Sequence, residues 1–228
     1  MPSSRLQTNR RAGRRAAHAA AMTFALLAAT AQPAEAGSDR PPASLTAISP
    51  IFGQLVAFSQ PLGFVVAFEQ PTADQYIREA VLKGETIDDW SQMITVTGAK
   101  GLAADASVTP KALATGLAAG FRNACPDTHL AQPLGSLEID GHDAFAVLAG
   151  CGTVDSSADG HSELALIIAI RGAADYYTIQ WAERDEGSDD IPAIDETKWT
   201  ERLEALNPIR LCPIVEGEKA PYPSCVDR

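Results

Sequence analysis

Turn signals around a short apolar run constrain the fold of this chain more than any other feature of its sequence. Residues 164–170 are apolar throughout, and these seven residues suffice for a buried strand but not for a membrane span. Residues 172–175 and the pair Asp140-Gly141 are typical of the turns that join the two strands of a hairpin. The sequence therefore predicts an antiparallel sheet with a central strand that is buried on both faces.

Three segments are predicted to form helices beside this sheet. Thr109 and Pro110 have the order of a helix cap and first turn. Thr86 and Asp89 at capping-box spacing predict a second helix, and Asp195 is predicted to cap a third. The first helix should bury Leu113, Leu117 and Phe121 beside the small residues Gly116, Gly120 and Ala124, and the third should bury Trp199, Leu203 and Leu206.

Strands predicted at residues 63–70 and 76–82 extend the sheet to about six or seven strands. With helices packed on both of its faces, the expected fold class is an α+β layered sandwich. This domain is predicted to span residues 59–212. Residues 37–58 are expected to be a flexible N-terminal segment, and residues 213–228 a Pro-rich C-terminal tail.

The first 36 residues have the order of a secretory signal peptide. Arginines come first, residues 19–31 form a short apolar run, and Ala34 and Ala36 are small residues at the positions that a signal peptidase reads. The sequence therefore predicts cleavage between Ala36 and Gly37 and a periplasmic or secreted location. An arginine pair in the basic region raises the twin-arginine route as an alternative.

Removal of the signal peptide would leave a strongly acidic chain. The full sequence has a formal net charge of −11, and the removed segment carries five Arg and one Glu, which leaves −15. A surface of this sign repels nucleic acid and anionic lipid, so neither is an expected partner. We interpret the acidity as a solubility feature, with a basic partner or a divalent cation as the alternative.

Four cysteines in an exported chain indicate two disulfides. Of the three possible connectivities, we expect Cys125–Cys151 and Cys212–Cys225, because the second pair would close the Pro-rich tail onto the domain. A zinc site is the alternative, although the sequence has no Cys-x-x-Cys spacing and only His129 follows a cysteine closely.

Two segments carry a resemblance to a known group of proteins. Residues 84–90 (Gly-Glu-Thr-Ile-Asp-Asp-Trp) and 176–181 (Tyr-Tyr-Thr-Ile-Gln-Trp) are similar to segments of a set of uncharacterised exported bacterial proteins. The order of predicted elements over residues 60–212 resembles the Mog1/PsbP-like sandwich, an antiparallel sheet with helices on both sides. The resemblance implies a binding or accessory module, and it supplies no catalytic residues.

One polar segment has the spacing of a calcium-binding loop. Asp155, Ser157, Asp159 and Glu163 provide oxygen ligands at positions 1, 3, 5 and 9 of such a loop, with a glycine at position 6. Position 12, where a bidentate Glu is required, is Leu166. The segment is therefore either a calcium site or a polar connection between two strands.

A hydrolase is the catalytic alternative that the sequence allows. Ser156 or Ser157, His161 and Asp143 supply the residue types of a nucleophile, a base and an orienting acid. No Gly-x-Ser-x-Gly elbow accompanies them. For this reading, His161, Asp143 and neighbouring His142 must converge with a serine in one pocket.

These observations favour an exported, non-catalytic binding or accessory protein whose partner is another protein or a small molecule. The alternative is a hydrolase or a calcium-dependent enzyme that uses residues 155–163. No cofactor other than calcium is expected.

Overall fold

The main sheet of the computed structural model, which describes residues 44–154 and 160–226, has seven strands. These strands are β3 (Phe64–Pro71), β4 (Gln75–Leu82), β5 (Gln92–Ala99), β6 (His129–Ile139), β7 (His142–Cys151), β8 (His161–Arg171) and β9 (Tyr176–Glu186). Their order across the sheet is β3-β4-β5-β9-β8-β7-β6, and every neighbouring pair is antiparallel. The antiparallel sheet predicted from the turn signals is confirmed.

The central strands follow the predicted pattern. Residues 165–170 of β8 are at most 2% exposed, and β7 and β9 pair with this strand on its two sides. The β6–β7 hairpin turns at Asp140 and Gly141, which have φ angles of 51° and 79°. Both values lie in the left-handed region that a two-residue hairpin turn of this kind requires.

A second sheet was not predicted. It consists of β1 (Ser44–Ile51), β2 (Gln54–Pro61) and β10 (Arg210–Pro213), in the order β1-β2-β10. The expectation of a flexible segment over residues 37–58 is therefore wrong from Ser44 onward. The small and polar residues of β1 suggested a linker. Strand β2, in contrast, is buried almost throughout, because both of its faces are covered.

Helices pack on both faces of the main sheet, as expected. They are α1 (Pro110–Ala124) and α2 (Glu196–Ala205). Strand β7 separates the two layers, because Ala146 and Leu148 pack with the second sheet and α2, whereas Val147 and Ala149 pack with α1. The larger core lies between the two sheets, where Tyr177, Ile179 and Trp181 of β9 are buried together, as the sequence predicted.

Helix α1 begins as predicted, and Leu113 and Phe121 of its predicted face pack partly buried against the sheet. The Thr109 side chain accepts a hydrogen bond from the Ala112 amide at 3.1 Å and caps the helix. The buried residues are Ala114 and Ala118, whereas Leu117 is 37% exposed. The predicted glycine stripe does not make the contact, since a Cβ added at Gly116 or Gly120 would meet nothing within 4 Å. Alanines therefore provide the close approach.

The helix predicted from Thr86 is absent, since residues 84–91 form turns and β5 begins at Gln92. Thr86 does accept the amide of Asp89 at 3.1 Å, but this bond closes a turn rather than a helix. Met93 and Ile94 explain the difference, because they pack into different clusters on opposite faces of the sheet. The two-residue period of a strand therefore prevails over the capping signal.

Both predicted disulfides are present. Cys125–Cys151 joins the end of α1 to the end of β7, with 5.7 Å between the Cα atoms. Cys212–Cys225 joins β10 to the short helix α3 (Pro223–Val226), with 5.6 Å between the Cα atoms, and so ties the tail to the second sheet. The folded unit therefore extends beyond the predicted limits of 59 and 212, from Ser44 to Val226. Within this part of the chain, no helix is long and apolar enough to cross a membrane.

Candidate functional site

Of the four predicted calcium ligands, only Glu163 lies among the described residues. Asp155, Ser157 and Asp159 lie outside the described residues. Glu163 lies at the start of β8, where its Oε2 is 3.0 Å from Arg184 Nε and 3.8 Å from His161 Nε2. This carboxylate is thus paired with a guanidinium, and the calcium loop stays a prediction.

The hydrolase alternative requires Asp143 and His161 to lie close together, and they do not. His161 pairs with Glu186 at one end of β8, whereas Asp143 precedes Ala144, which pairs with Ile170 near the other end. At the rise of an antiparallel strand, this separation is about 30 Å. His142 lies at the same far end, with its Nδ1 3.0 Å from the Arg171 carbonyl oxygen. Ser156 and Ser157 lie outside the described residues, but Asp143 and His161 cannot serve one triad.

A cavity that the sequence did not predict lies between α2 and the edge strand β6. We call it the α2–β6 cleft, and its volume is about 380 Å³. The α2 residues that line it are three or four positions apart along the chain, so they lie on one face of the helix. The lining residues are Gln132, Pro133 and Leu134 of β6, Leu148 of β7, and Glu196, Trp199, Thr200 and Leu203 of α2.

An irregularity in β6 shapes the strand side of the cleft. The register between β6 and β7 shifts between Pro133 and Gly135, which leaves Leu134 as an extra residue that is 42% exposed. Proline is tolerated here because β6 is an edge strand with no further partner in the main sheet. The bulge therefore places an apolar side chain at the mouth of the cleft, above buried Leu148.

Trp199 is the central residue of the helix wall. It lies in the first turns of α2, as predicted from the Asp195 cap, and it is only 2% exposed. Its indole Nε1 is buried and has no hydrogen-bond partner among residues 44–154 and 160–226. Trp181, which is buried to the same degree, donates its indole proton to Gln92 Oε1 at 3.2 Å. Because an unsatisfied buried donor costs roughly 1–3 kcal/mol, the environment of Trp199 requires an explanation.

Glu183 of β9 fixes helix α2 in position. Its carboxylate accepts hydrogen bonds from Lys198 Nζ and Arg202 Nε, each at 2.7 Å, and its side chain is 16% exposed. The Arg202 guanidinium also lies 4.6 Å from the ring centroid of Trp181. The helix wall of the cleft is therefore tied to the main sheet by ion pairs as well as by the burial of Trp199.

A second cavity of about 380 Å³ lies at the end of the sheet where residues 84–91 turn. We call it the 84–91 pocket, and its lining includes Glu85, Asp88, Asp89, Trp90, His161, Arg184 and Asp185. The Arg184 guanidinium is 3.7 Å from the centroid of the Trp90 ring and is paired with Glu163. Both oxygens of Glu85 accept hydrogen bonds from Ser91. Many polar groups of this pocket are thus engaged with one another.

The sequence predicted the helix side of the α2–β6 cleft but not its strand side. Trp199 and Leu203 are on the predicted buried face of the third helix, but the strand side and the cavity itself were missed. The proline and glycine around Leu134 are the available signal, because both residues are typical of a bulge on an edge strand.

Comparison with known proteins does not assign this chain to a family. No family model matches the sequence, and no curated protein matches it. A structure of a variant of the protein Mog1 has a TM-score of 0.46 at 13% identity over 74% of this chain and 97% of that chain. The Ran-binding protein Mog1p of Saccharomyces cerevisiae has a TM-score of 0.44 at 13% identity, over 74% and 96% of the two chains.

A third solved structure, from Bacteroides thetaiotaomicron, has a TM-score of 0.37 at 14% identity, over 76% of this chain and 50% of that chain. The α+β architecture expected from the resemblance, an antiparallel sheet with helices on both faces, is present.

Proposed function

We propose that this protein is an exported binding or accessory protein that holds a small, largely apolar ligand in the α2–β6 cleft. One observation carries the proposal: helix α2 and the β6 bulge form a cavity of about 380 Å³ whose lining includes Leu134, Leu148, Trp199 and Leu203 beside a few polar groups.

The size and the walls of the cleft support this function. Its volume of about 380 Å³ falls in the range of roughly 300–1,000 Å³ that is usual for small-molecule sites. Leu134, Leu148 and Leu203 provide apolar surface, while Gln132, Glu196 and Thr200 add polar groups. This combination of apolar walls with a small number of polar groups is typical of sites that bind and orient a ligand.

Export is supported by the sequence pattern of the first 36 residues and by the disulfides. All four cysteines are at most 1% exposed. The Cys125–Cys151 bridge joins α1 to β7, and the Cys212–Cys225 bridge holds the tail against β10. Disulfides of this kind form in oxidising compartments and are rare in the cytosol. N-terminal sequencing of the protein recovered outside the cytoplasm should begin at Gly37, and recovery of an uncleaved cytosolic chain would contradict export.

Ligand binding can be tested with N-phenylnaphthylamine, a neutral apolar dye that becomes fluorescent in apolar sites. We expect saturable binding that is lost in Leu203→Trp, because the larger side chain fills the cleft from the helix wall. Leu62→Trp is the matched control, since Leu62 is 59% exposed and lies in the turn between β2 and β3.

Binding that is equal in the wild type and in both variants would place the dye elsewhere and contradict the proposed site. The absence of saturable binding in the wild type would contradict the proposed function itself. Circular dichroism and urea unfolding of the two variants establish that each one is folded.

A further inference from the structure

We propose that the uncovered part of the main sheet is a docking surface for a basic partner protein, and that Glu79 at its centre pairs with a lysine or arginine side chain of that partner. The surface lies on the α1 side of the sheet, whereas Leu148 and Trp199 of the α2–β6 cleft belong to the core on the other side. We call it the open sheet face and define it by six residues: Phe68, Ile77, Glu79, Thr95, Thr97 and Gln180.

Strand register places four of these residues in one row. Glu79 of β4 pairs with Phe68 of β3 and with Thr95 of β5, and Thr95 pairs in turn with Gln180 of β9. Residues directly opposite each other in antiparallel strands point to the same face, and four strands span about 14 Å. The row therefore crosses the open sheet face from the edge strand to the middle of the sheet.

A second row runs beside the first. Ile77 pairs with Thr97, and Thr97 pairs with Thr178 of β9. The Oγ1 atoms of Thr97 and Thr178 are 2.6 Å apart, which confirms that both side chains lie on this face. Side chains two positions apart share a face, so the two rows form one continuous surface.

Helix α1 covers only half of this side of the sheet. It packs on β6, β7 and β8, and its apolar cluster ends at Ala182 of β9. Trp90 packs over Val81 and Met93 at one end of the open sheet face. Within residues 44–154 and 160–226, no helix packs on β3, β4 or β5. The six residues that define the face are accordingly all partly exposed.

Glu79 is the single charged residue among the six, and it has no counterion in the described chain. No hydrogen bond or ion pair joins its side chain to another described residue. Its neighbour Arg78 points to the opposite face, where Nη1 donates to Ser49 Oγ at 3.1 Å. Burial raises the pKa of Glu79 above its ordinary value, because no cation compensates for the lost water. An incoming ammonium or guanidinium group would supply that missing charge.

The surroundings of Glu79 suit a long basic side chain. Phe68 and Ile77 offer apolar surface to its aliphatic stem, and the Thr95 hydroxyl can accept a further hydrogen bond from its head group. The formal net charge of −11 attracts a basic partner and repels an acidic one. A second copy of this acidic chain would bring a surface of the wrong sign.

Two peptides that differ only in charge test the proposal. They are acetyl-Lys-Val-Lys-Val-Lys-amide and the same peptide with glutamine in place of each lysine. Binding is followed by NMR of protein with labelled threonine and isoleucine methyl groups, which are assigned by single substitutions. We expect the lysine peptide to bind roughly tenfold more tightly than the glutamine peptide. Its largest shifts should fall on Ile77, Thr95 and Thr97.

Two charge-removing variants separate Glu79 from the general acidity of the surface. Glu79→Gln should remove most of the preference for the lysine peptide. Glu138→Gln is the matched control, since Glu138 is an exposed residue of β6 at the other edge of the sheet, and it should leave the preference intact. Glu79→Gln should also raise the midpoint of urea unfolding more than Glu138→Gln does, because it replaces a partly buried, unpaired carboxylate with a neutral amide.

Four results would overturn the proposal. The first is an equal loss of lysine-peptide binding in both variants, since only the overall charge would then attract the peptide. The second is peptide binding that leaves the signals of Ile77, Thr95 and Thr97 unmoved. The third is a lower urea midpoint in Glu79→Gln, because the carboxylate would then have a stabilising partner in solution. The fourth is a wild-type dimer in sedimentation that Glu79→Gln abolishes, because the occupant would then be a second copy.

The proposed small-ligand site is tested separately. Glu79→Gln should leave the binding of N-phenylnaphthylamine to the α2–β6 cleft unchanged, so either proposal can fail without the other.

Discussion

The α2–β6 cleft and the 84–91 pocket have the same volume, about 380 Å³, but they differ in how their polar groups are used. In the 84–91 pocket, Arg184 stacks on Trp90 and pairs with Glu163, while Glu85 accepts hydrogen bonds from Ser91. In the cleft, the tryptophan is more deeply buried and its indole donor has no acceptor among the described residues.

The two cavities therefore differ in what a ligand would have to displace. A ligand entering the 84–91 pocket must compete with ion pairs and hydrogen bonds that the chain already makes. A ligand entering the cleft would contact Leu134, Leu148 and Leu203, which have no such partners to lose.

The largest expected difference between the cavities concerns their tryptophans. Trp199→Ala should lower the free energy of unfolding by about 3–5 kcal/mol, because Trp199 belongs to the main core between the sheets. Trp90→Ala should cost less, about 2–3 kcal/mol, since Trp90 belongs to a smaller cluster with Val81 and Met93. Urea unfolding measures both values, and a larger loss in Trp90→Ala would reverse the comparison.

A matched pair of substitutions isolates the unpaired donor. Trp181→Phe removes an indole that donates to Gln92, whereas Trp199→Phe removes one that has no such partner in the described chain. Both residues are 2% exposed, so the loss of ring volume is similar. We expect Trp181→Phe to be more destabilising by roughly 0.5–1.5 kcal/mol, because the part-buried hydrogen bond to Gln92 is lost. Equal losses in urea unfolding would indicate that the Trp199 donor is satisfied in solution.

Much of the fold was predictable because its signals are local. The hairpin at Asp140-Gly141 depends on the conformation of two residues, and the Thr109 cap depends on one hydrogen bond within a single turn. The helix predicted at Thr86 failed although its capping bond forms, because the burial of Met93 and Ile94 on opposite faces is a tertiary effect. The second sheet was missed because the small and polar residues of β1 suggested a linker, and because β10 joins β2 from a distant part of the chain.

The candidate site was less predictable than the fold. The face of α2 that carries Trp199 and Leu203 follows from helical periodicity, but the opposite wall depends on the strand order that makes β6 an edge. No local pattern indicates which edge strand lies beside which helix. The hydrolase alternative, which required Asp143 and His161 to converge, fails because the strand register places them near opposite ends of β8.

The ion pairs near the two cavities should also differ in strength. Glu183→Gln weakens two interactions that hold α2, and it should lower the free energy of unfolding by about 1–2 kcal/mol, given that the carboxylate is partly exposed. It should also weaken binding of N-phenylnaphthylamine, because the helix wall of the cleft loses its tie to β9. Glu163→Gln serves as the control, and it should leave dye binding unchanged. An effect of Glu163→Gln on the dye equal to that of Glu183→Gln would show that the two cavities are coupled.

The smallest expected effect is that of salt on ligand binding. Because salt screens only interactions between charges, the affinity of a neutral ligand should change by no more than roughly twofold between low and high ionic strength. Octylammonium, if drawn to the acidic surface of the 84–91 pocket, should instead lose affinity as salt is added. Isothermal titration with octanamide and octylammonium at two salt concentrations makes this comparison. A strong salt dependence for octanamide would mean that charged groups, rather than the apolar walls, control access to the cleft.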